Sequence, residues 1–295
     1  MNFDRSLDAP PGIEMRLSPL VSRVLAPNPG PFTFRGTGVY IVGQGPCVAV
    51  IDPGPLLAGH VENLQRVLAP RRISHILVTH THRDHSPAAQ ALKLWSGAPT
   101  YGVPLAARAV SADLQEAMVD EAHDHDFVPD IVVRDGMRIE GDGFELECVA
   151  TPGHTANHMC YGLAAEGALF SGDHVMRWST SVIAPPDGNM GDYLASLEKL
   201  AARGDKILYP THGSPIANPR DWLGQLIAHR RMRQSQIVAA LAEGPQTVRE
   251  LAARLYPDIE PALRPAAGQQ IAAHLEHLAS RAEAVPENGY WRLKI

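Results

Sequence analysis

The chain has few cysteines and no long apolar run. Only three of its 295 residues are cysteines, at positions 47, 148 and 160, each in or beside a predicted strand. An odd, unspaced set cannot form a disulfide framework, so we expect buried free thiols in a reducing cytosol. No apolar stretch reaches the roughly 18 residues that span a bilayer, and the polar N-terminus lacks the apolar core of a signal peptide. These absences predict a cytoplasmic protein without a membrane segment.

An excess of positive charge is also missing. Lys and Arg number 26 against 32 Asp and Glu, giving a net charge of −6. No global basic field therefore indicates nucleic acid or an anionic membrane as a partner. Residues 111–135 include eight acidic residues and only one basic residue, Arg134. We interpret this segment, which includes Glu121-Ala122-His123-Asp124-His125-Asp126, as a solvated acidic lid or surface loop rather than as a third metal site.

What the chain does contain is a dense cluster of metal ligands, His80-x-His82-x-Asp84-His85. The apolar, β-branched residues 73–78 before it predict a buried strand. In an extended loop His80 and His82 project to the same side, because alternate residues share a face. Asp84 and His85 come from the turn that follows, so one loop can serve two adjacent metal ions. Ser86 and Pro87 are expected to cap and open a helix that continues through Trp95.

Three further strands are predicted to end in a potential ligand. Residues 144–150 alternate as a strand before a tight loop that carries His154. Residues 168–173 read as a short strand that ends in Gly-Asp, at Asp173, and residues 206–213 as a strand that leads to His212. Functional side chains commonly lie on loops at one rim of a sheet scaffold, which is the arrangement that this pattern predicts.

The motif His80-x-His82-x-Asp84-His85 with His154, Asp173 and His212, in this order and spacing, resembles the metallo-β-lactamase superfamily. Further segments resemble the β-lactamase-like protein 2 family within it, and the similarity runs over nearly the whole chain: 24–33, 36–43, 50–54, 151–155 and 209–213. The resemblance implies an α/β fold, a four-layer αβ/βα sandwich with the metal site at one edge of the paired sheets.

The resemblance and the ligand types together imply two metal ions. One would be held by His80, His82 and His154, the other by Asp84, His85 and His212, and Asp173 would bridge them. Imidazole and carboxylate without thiolate suit zinc, and also iron or manganese. Two such ions can share a hydroxide, lower its pKa from about 15.7 toward 7, and direct it at an ester, thioester or phosphodiester.

Two acidic residues are expected to assist this chemistry. Asp84 is predicted to be catalytic as well as a ligand, because it can orient the attacking hydroxide. Asp52, which follows an N-terminal strand, is expected to brace a ligand histidine. His158 either does the same or is a structural histidine. Residues 179–191 are rich in turn-forming residues and are expected to form a substrate loop beside the site.

A second domain is predicted over residues 221–295, after a catalytic domain over residues 1–220. Helices are expected at 221–241, 247–255 and 266–281, followed by a hairpin of 283–285 and 290–293 with an Asn-Gly turn. Three helices and a hairpin indicate a winged helix. The segment carries nine Lys or Arg and eight Asp or Glu, hence about +1.

The role of this domain stays open at the sequence level. Winged helices often bind nucleic acid, and Arg230-Arg231-Met232-Arg233 is a candidate basic patch. The alternative is a domain that packs against the catalytic core and walls the site, with His229, His274 and His277 as surface or packing histidines.

Three functions are compatible with these features. The first is a binuclear metal-dependent hydrolase of a small-molecule ester or thioester. The second is a single-strand-specific endoribonuclease, an activity found among proteins that resemble the β-lactamase-like protein 2 family. The third is a winged-helix regulator with a sensory metal site. An Asp at position 173, where zinc β-lactamases often carry Cys, and a His at position 82, where flavodiiron members carry Glu, favour hydrolysis. Oligomeric state is not predicted.

Overall fold

The computed structural model describes residues 1–106 and 122–294, which form two packed β-sheets with helices on their outer faces. The first sheet follows chain order and contains β1 (Glu14–Arg16), β2 (Val21–Leu25), β3 (Gly38–Val42), β4 (Cys47–Ile51), β5 (Arg72–Leu77), β6 (Thr100–Gly102) and β7 (Ile131–Val132). Strands β1 to β4 pair antiparallel, and β4 to β7 pair parallel.

The second sheet has six strands in the spatial order β13-β12-β11-β10-β9-β8. Its strands are β8 (Arg138–Gly141), β9 (Phe144–Ala150), β10 (Met159–Leu163), β11 (Ala168–Gly172), β12 (Ile207–Pro210) and β13 (Ile216–Ala217). All pairs are antiparallel except β11 with β12. The three strands predicted to end in a ligand are β9, β11 and β12.

Helices cover both sheets and build the C-terminal part. They are α1 (Ala58–Leu68), α2 (Ala88–Ser96), α3 (Met190–Arg203), α4 (Pro219–Ala242), α5 (Val248–Leu255) and α6 (Arg264–Ser280), with short 3₁₀ turns at Ala164–Glu166 and Pro261–Leu263. A hairpin of β14 (Ala284–Glu287) and β15 (Tyr290–Leu293) completes the described chain. No helix among residues 1–106 and 122–294 combines the length and the apolar character needed to cross a membrane.

Three apolar layers explain why the strands are buried on both faces. Side chains of β3 and β4 meet those of β9, β10 and β11 between the sheets. Helices α1 and α2 cover the outer face of the first sheet, and α3 with the start of α4 covers the second. Strands covered on both faces are uniformly apolar, as β3 and β10 are. The predicted αβ/βα sandwich is therefore confirmed.

The C-terminal part is the predicted winged helix with its own apolar core, formed by α4, α5, α6 and the hairpin. Thr247 and Glu250 form the predicted capping box at the start of α5. The turn between β14 and β15 holds Asn288 and Gly289 at positive φ, which suits an Asn-Gly hairpin. Helix α4 belongs to both parts, because Trp222 and Leu226 pack against the second sheet while its last turns enter the C-terminal core.

Two local expectations were wrong. Ser86 does not cap α2, because its hydroxyl donates to the Asp124 carboxylate at 2.6 Å and the residue before the helix is Pro87. Cys47 is only half-buried and accepts hydrogen bonds from the Arg72 guanidinium at 3.2 and 3.3 Å. The other two cysteines are buried, and all three are free thiols, as expected.

Candidate metal centre

The seven predicted ligands converge where four strands end. The loop after β5 carries His80, His82, Asp84 and His85, and the other three follow β9, β11 and β12. Among the described residues, three overlapping groups of these side chains place one donor atom each within 4.8 Å of one another. Five of the seven are buried, and His82 and Asp84 are half-buried. The strand ends thus bring together every side chain that the sequence singled out as a ligand.

The first cluster consists of His80, His82 and His154. The His82 Nδ1 atom lies 2.8 Å from His80 Nε2 and 3.2 Å from His154 Nε2. The far nitrogen of His154, Nδ1, lies 2.6 Å from the backbone carbonyl oxygen of Val182, which fixes the ring so that Nε2 faces the cluster.

The second cluster consists of Asp84, His85 and His212. Asp84 Oδ2 lies 3.0 Å from His212 Nε2 and 3.4 Å from His85 Nε2. The far nitrogens are held from behind, since His85 Nδ1 lies 2.9 Å from Asp52 Oδ2 and His212 Nδ1 lies 3.1 Å from the Gly36 carbonyl oxygen.

Asp173 lies between the two clusters. Its Oδ2 atom is 3.4 Å from His212 Nε2, 3.6 Å from His85 Nε2 and 4.0 Å from His154 Nε2. A carboxylate at this point can contact a cation in either cluster. The hydroxyl of Ser181 donates to the backbone oxygen of Asp173 at 2.6 Å, which holds the residue from its other side.

The donor set fits divalent transition metals. Ligands about 2.0–2.1 Å from a tetrahedral ion are about 3.4 Å apart, close to the spacings in the second cluster. Two buried atoms, His85 Nε2 and Asp173 Oδ1, have no hydrogen-bond partner among the described residues, and His85 Nε2 faces the carboxylates of Asp84 and Asp173. Buried polar atoms are normally satisfied, so such atoms indicate a missing partner that accepts lone pairs.

Burial and charge keep the first cluster neutral. Burial lowers the pKa of His80 and His82 well below the usual range, and neighbouring imidazoles lower it further. Burial also lowers the pKa of His154. Neutral imidazoles offer free lone pairs, which is the form that binds a metal ion.

The second cluster has the opposite balance. Burial disfavours the imidazolium form, but the carboxylates of Asp173 and Asp84 outweigh it and raise the pKa of His212 to about 10. The same carboxylates raise the pKa of His85 well above its usual range. Although burial raises the pKa of Asp84 and Asp173, the facing imidazoles hold both well below normal. The cluster therefore stabilises positive charge at its centre, supplied by protons or by a cation.

Asp52 contacts two ligand loops of the centre at once, the one after β5 and the one after β12. Besides His85 Nδ1, its carboxylate accepts the backbone N–H of Thr79 at 2.7 Å and the hydroxyls of Thr79 and Thr211 at 2.8 and 2.9 Å. Each threonine directly precedes a ligand histidine, His80 or His212. This repeated Thr-His pair is a signal in the sequence that could have predicted the shared anchor.

His158 contacts none of the ligands by a hydrogen bond in the described structure. It is buried, its Nδ1 lies 2.8 Å from the Thr151 hydroxyl, and its ring lies 5.1 Å from that of His80. These contacts favour a structural role for His158 over the alternative, in which it would brace a ligand histidine.

The acidic segment is not wholly a solvated loop. Residues 107–121 lie outside the described residues, but His123 is 3% exposed and forms a β-bridge with His82, with ring centroids 4.7 Å apart. Its Nε2 atom lies 3.5 Å from an Asp187 carboxylate oxygen. The expectation of a solvent-facing segment was wrong at His123, because the loop folds back onto the ligand loop.

The arginines of α4 do not form a basic patch. Arg230 is 2% exposed and bonds to Gln270 and Ser181. Arg231 pairs with Glu198 at 2.6 Å, and Arg233 donates to the Leu255 carbonyl. Their side chains leave the helix in different directions toward intramolecular partners. His274 is fully buried, which fits a packing role, and His229 and His277 are half-buried.

Comparison with known proteins agrees with this geometry. A model described as the metallo-β-lactamase superfamily matches residues 33–212, and one described as the β-lactamase associated winged helix domain matches residues 247–291. The fold and the histidine–aspartate centre define a metal-dependent hydrolase. The chain belongs to the metallo-β-lactamase superfamily, in the branch that carries a C-terminal winged helix.

Individual relatives extend the match to nearly the whole chain. The β-lactamase-like protein 2 homolog of Caenorhabditis elegans is 31% identical over 94% of this chain and 89% of that protein. The atrochrysone carboxyl ACP thioesterase AgnL7 of Paecilomyces divaricatus is 35% identical over 78% of this chain and 67% of that protein. The crystal structure of a β-lactamase domain protein from Burkholderia ambifaria shares the fold, with a TM-score of 0.82, 20% identity and 97% and 96% coverage.

Proposed function

We propose that the chain is a binuclear metal-dependent thioesterase that hydrolyses a small acyl thioester. The observation that carries this proposal is the position of Asp173, whose Oδ2 atom lies within 4.0 Å of ring nitrogens from both clusters. His80, His82 and His154 would hold one ion, and Asp84, His85 and His212 the other. Zinc suits these donors best, with iron or manganese as alternatives.

Two divalent ions held at this centre would supply a Lewis acid for the scissile carbonyl and would lower the pKa of a nucleophilic water. The residues of the chain do the remaining work. Asp84 is more exposed than Asp173, at 26% against 10% of the side chain, so it can accept a hydrogen bond from the water and orient it. Thr37 donates to the Asp84 carboxylate at 3.2 Å and limits its rotation.

Asp52 is proposed to hold the imidazole of His85 in one orientation. The Nδ1–H of that ring donates to Asp52, so Nε2 presents its lone pair to the centre. Because Asp52 also binds the threonines before His80 and His212, it ties the two ligand clusters to one buried anchor.

A thioester is favoured over RNA by two observations. The chain is 35% identical to a protein named as an acyl carrier protein thioesterase. RNA-binding surfaces need cations that reach phosphates, whereas Arg230, Arg231 and Arg233 are engaged within the chain. The net charge of −6 adds no long-range attraction for a polyanion.

The test is a paired assay on one metal-replete preparation. Elemental analysis should give close to two transition-metal ions per chain, and His85→Ala should lower the ratio to about one. Acyl thioesters, with S-lactoylglutathione among them, should be hydrolysed, while labelled single-stranded RNA should remain intact.

An Asp142→Asn protein, changed at an exposed carboxylate in the turn between β8 and β9 and outside every ligand loop, serves as the control with full activity. RNA cleavage at a rate that His85→Ala abolishes, without thioester hydrolysis, would replace the thioesterase by the endoribonuclease. A wild-type ratio near one ion would contradict the binuclear centre.

A further inference from the structure

The winged helix contacts the segment that holds the first cluster, and we propose that Arg230 and Gln270 are positioning residues for His154 and Asp173. In this role the C-terminal domain supports two side chains of the metal centre from outside it. The inference rests on the metal-binding part of the proposed function and is independent of the substrate.

Two helices of the winged helix converge on one backbone carbonyl. The guanidinium of Arg230, on α4, donates to the Ser181 oxygen at 2.6 Å, and the side-chain amide of Gln270, on α6, donates to the same oxygen at 3.1 Å. Arg230 also donates to the Gln270 side-chain oxygen at 2.8 Å, so the two donors hold each other in place. All of these bonds are buried.

Ser181 passes this restraint directly to the bridging ligand. Its hydroxyl donates to the backbone oxygens of Asp173 at 2.6 Å and His174 at 2.9 Å. Ser181 therefore connects the two parts: the winged helix binds its carbonyl oxygen, and its hydroxyl binds the turn that carries Asp173.

The next residue passes the same restraint to His154. The Ser181 carbonyl and the Val182 N–H belong to one planar peptide unit, so fixing that carbonyl also fixes the backbone nitrogen of Val182. The carbonyl of Val182, in the next peptide unit, accepts the Nδ1–H of His154 at 2.6 Å. This bond sets the tautomer and the ring orientation of a ligand, and such outer contacts tune metal affinity.

The burial of Arg230 argues that this arrangement has a role beyond packing. Its side chain is 2% exposed and its described partners are a carbonyl, an amide and the ring of Tyr193, 5.1 Å away, with no carboxylate among them. Burying a cation without an opposite charge is strongly unfavourable, and an apolar side chain of similar size avoids that cost. A neighbouring arginine on the same helix, Arg231, stays at the surface.

The experiment measures Zn²⁺ affinity cluster by cluster in the full-length protein. In a His212→Ala background only the first cluster stays intact, and in a His82→Ala background only the second. Competition with a chromophoric chelator gives the dissociation constant in each. Arg230→Met should weaken Zn²⁺ binding about tenfold in the first background, where both His154 and Asp173 lose their restraint, the lower end for outer contacts of a ligand. In the second background only Asp173 loses it, so the weakening should be smaller, about threefold.

Matched variants separate positioning from folding. Arg231→Met, one residue along and at the surface, should change neither constant. Arg230→Lys keeps one donor and should recover part of the affinity. Gln270→Leu removes one of the two donors to Ser181 and should weaken Zn²⁺ binding to the first cluster about threefold. If Arg230→Met does not fold, Gln270→Leu tests the proposal on its own.

Equal weakening of both clusters, or unchanged affinity in folded Arg230→Met or Gln270→Leu, would overturn the proposal and leave a structural contact. A His212→Ala protein that binds no Zn²⁺ would contradict the proposed metal centre itself, and the inference with it.

Discussion

Two buried aspartates of the centre have different contacts and so different expected roles. Asp173 faces imidazoles of both clusters, whereas Asp52 accepts hydrogen bonds from behind His85. Asp52→Asn should lower kcat by about 10- to 100-fold, the usual cost of losing an outer contact of a ligand, with two ions still bound. Asp173→Ala should cost far more and lower the metal ratio from two toward one. Steady-state kinetics and elemental analysis check both, and an Asp173→Ala protein within tenfold of wild-type kcat would show that Asp173 is not a ligand.

His274 connects burial to the pH dependence of stability. Burial and the nearby charge of Arg230 lower its pKa from 6.5 to about 3. Between pH 6.5 and 3 the imidazole of His274 is therefore protonated in the unfolded chain and neutral in the folded chain. The contribution of His274 to stability is highest above pH 6.5 and falls as the pH decreases toward 3. Between pH 6.5 and 5 this one group should cost about 2 kcal/mol of unfolding free energy.

Urea unfolding at pH 5, 6 and 7 measures this effect. In His274→Leu the slope of stability against pH should be shallower by up to one proton. His125→Leu, at a histidine outside the C-terminal core, is the comparison. Parallel curves for the wild type and His274→Leu would show that His274 takes up its proton in the folded state.

At the scale of single residues, the sequence predicted the candidate metal ligands but not the burial of two polar side chains. The seven predicted ligands could be proposed from the sequence because metal chemistry restricts residue types and because each follows a predicted strand, and the structure brings the seven side chains together. His123 was expected to lie in a solvated loop and Arg230 was a candidate member of a basic patch, whereas both are buried. Their burial depends on contacts with His82 and Ser181, which are distant in sequence and leave no local pattern.

At the scale of elements, strand ends were predicted well because apolar runs stop where the chain leaves the sheet. Strand β9 coincides with the predicted residues 144–150, and α5 with the capping box at Thr247. The start of α2 was wrong because Ser86 finds a tertiary partner, Asp124, that competes with the cap. Side-chain competition of this kind is decided by the fold and not by the local sequence.

The loop between β9 and β10 depends on a glycine. Gly153, directly before His154, has φ +137°, and a Cβ there would lie 2.3 Å from the Tyr193 Cα atom in the first turn of α3. Backbone atoms cannot yield as a side chain tip can, so Gly153→Ala should displace either α3 or His154. We expect a loss of more than about 2 kcal/mol of unfolding free energy, together with weaker binding of Zn²⁺ to the first cluster.

Gly204→Ala is the matched control, because Gly204 also has positive φ but open space where the Cβ would lie. It should cost about 1 kcal/mol and leave metal binding unchanged. Urea unfolding and chelator competition measure both variants. If the two variants lost the same unfolding free energy and bound metal equally well, the contact with Tyr193 would have relaxed without displacing His154.

The pairing of the two sheets is a property of the whole molecule. Individual strands predicted neither their order nor the contact between the winged helix and the ligand segment, because both follow from packing between parts that are distant along the chain. The prediction of the sandwich came from the resemblance to a known family. What only the structure shows is that α4 belongs to both parts, so metal binding and the folding of the winged helix are expected to be coupled.

That coupling leads to a prediction about metal removal. Ions that bind only the folded state stabilise it, by about 4 kcal/mol for each ion held at a thousandfold excess over its Kd. Removing both with a chelator should lower the Tm by on the order of 10 °C in a chain of this length. The stripped protein should stay folded at pH 7, because protons on His85 and His212 replace part of the positive charge that the centre favours.

Differential scanning calorimetry with and without the chelator measures the shift, and added Zn²⁺ should restore it. A His82→Ala, His212→Ala double variant, which lacks one ligand from each cluster, should show little response to the chelator. If the winged helix is coupled to the centre as proposed, near-ultraviolet circular dichroism, to which Trp222 over the second sheet and Trp291 beside the C-terminal core both contribute, should change in a single transition. A wild-type Tm that the chelator leaves unchanged would show that the clusters do not hold their ions in the folded state.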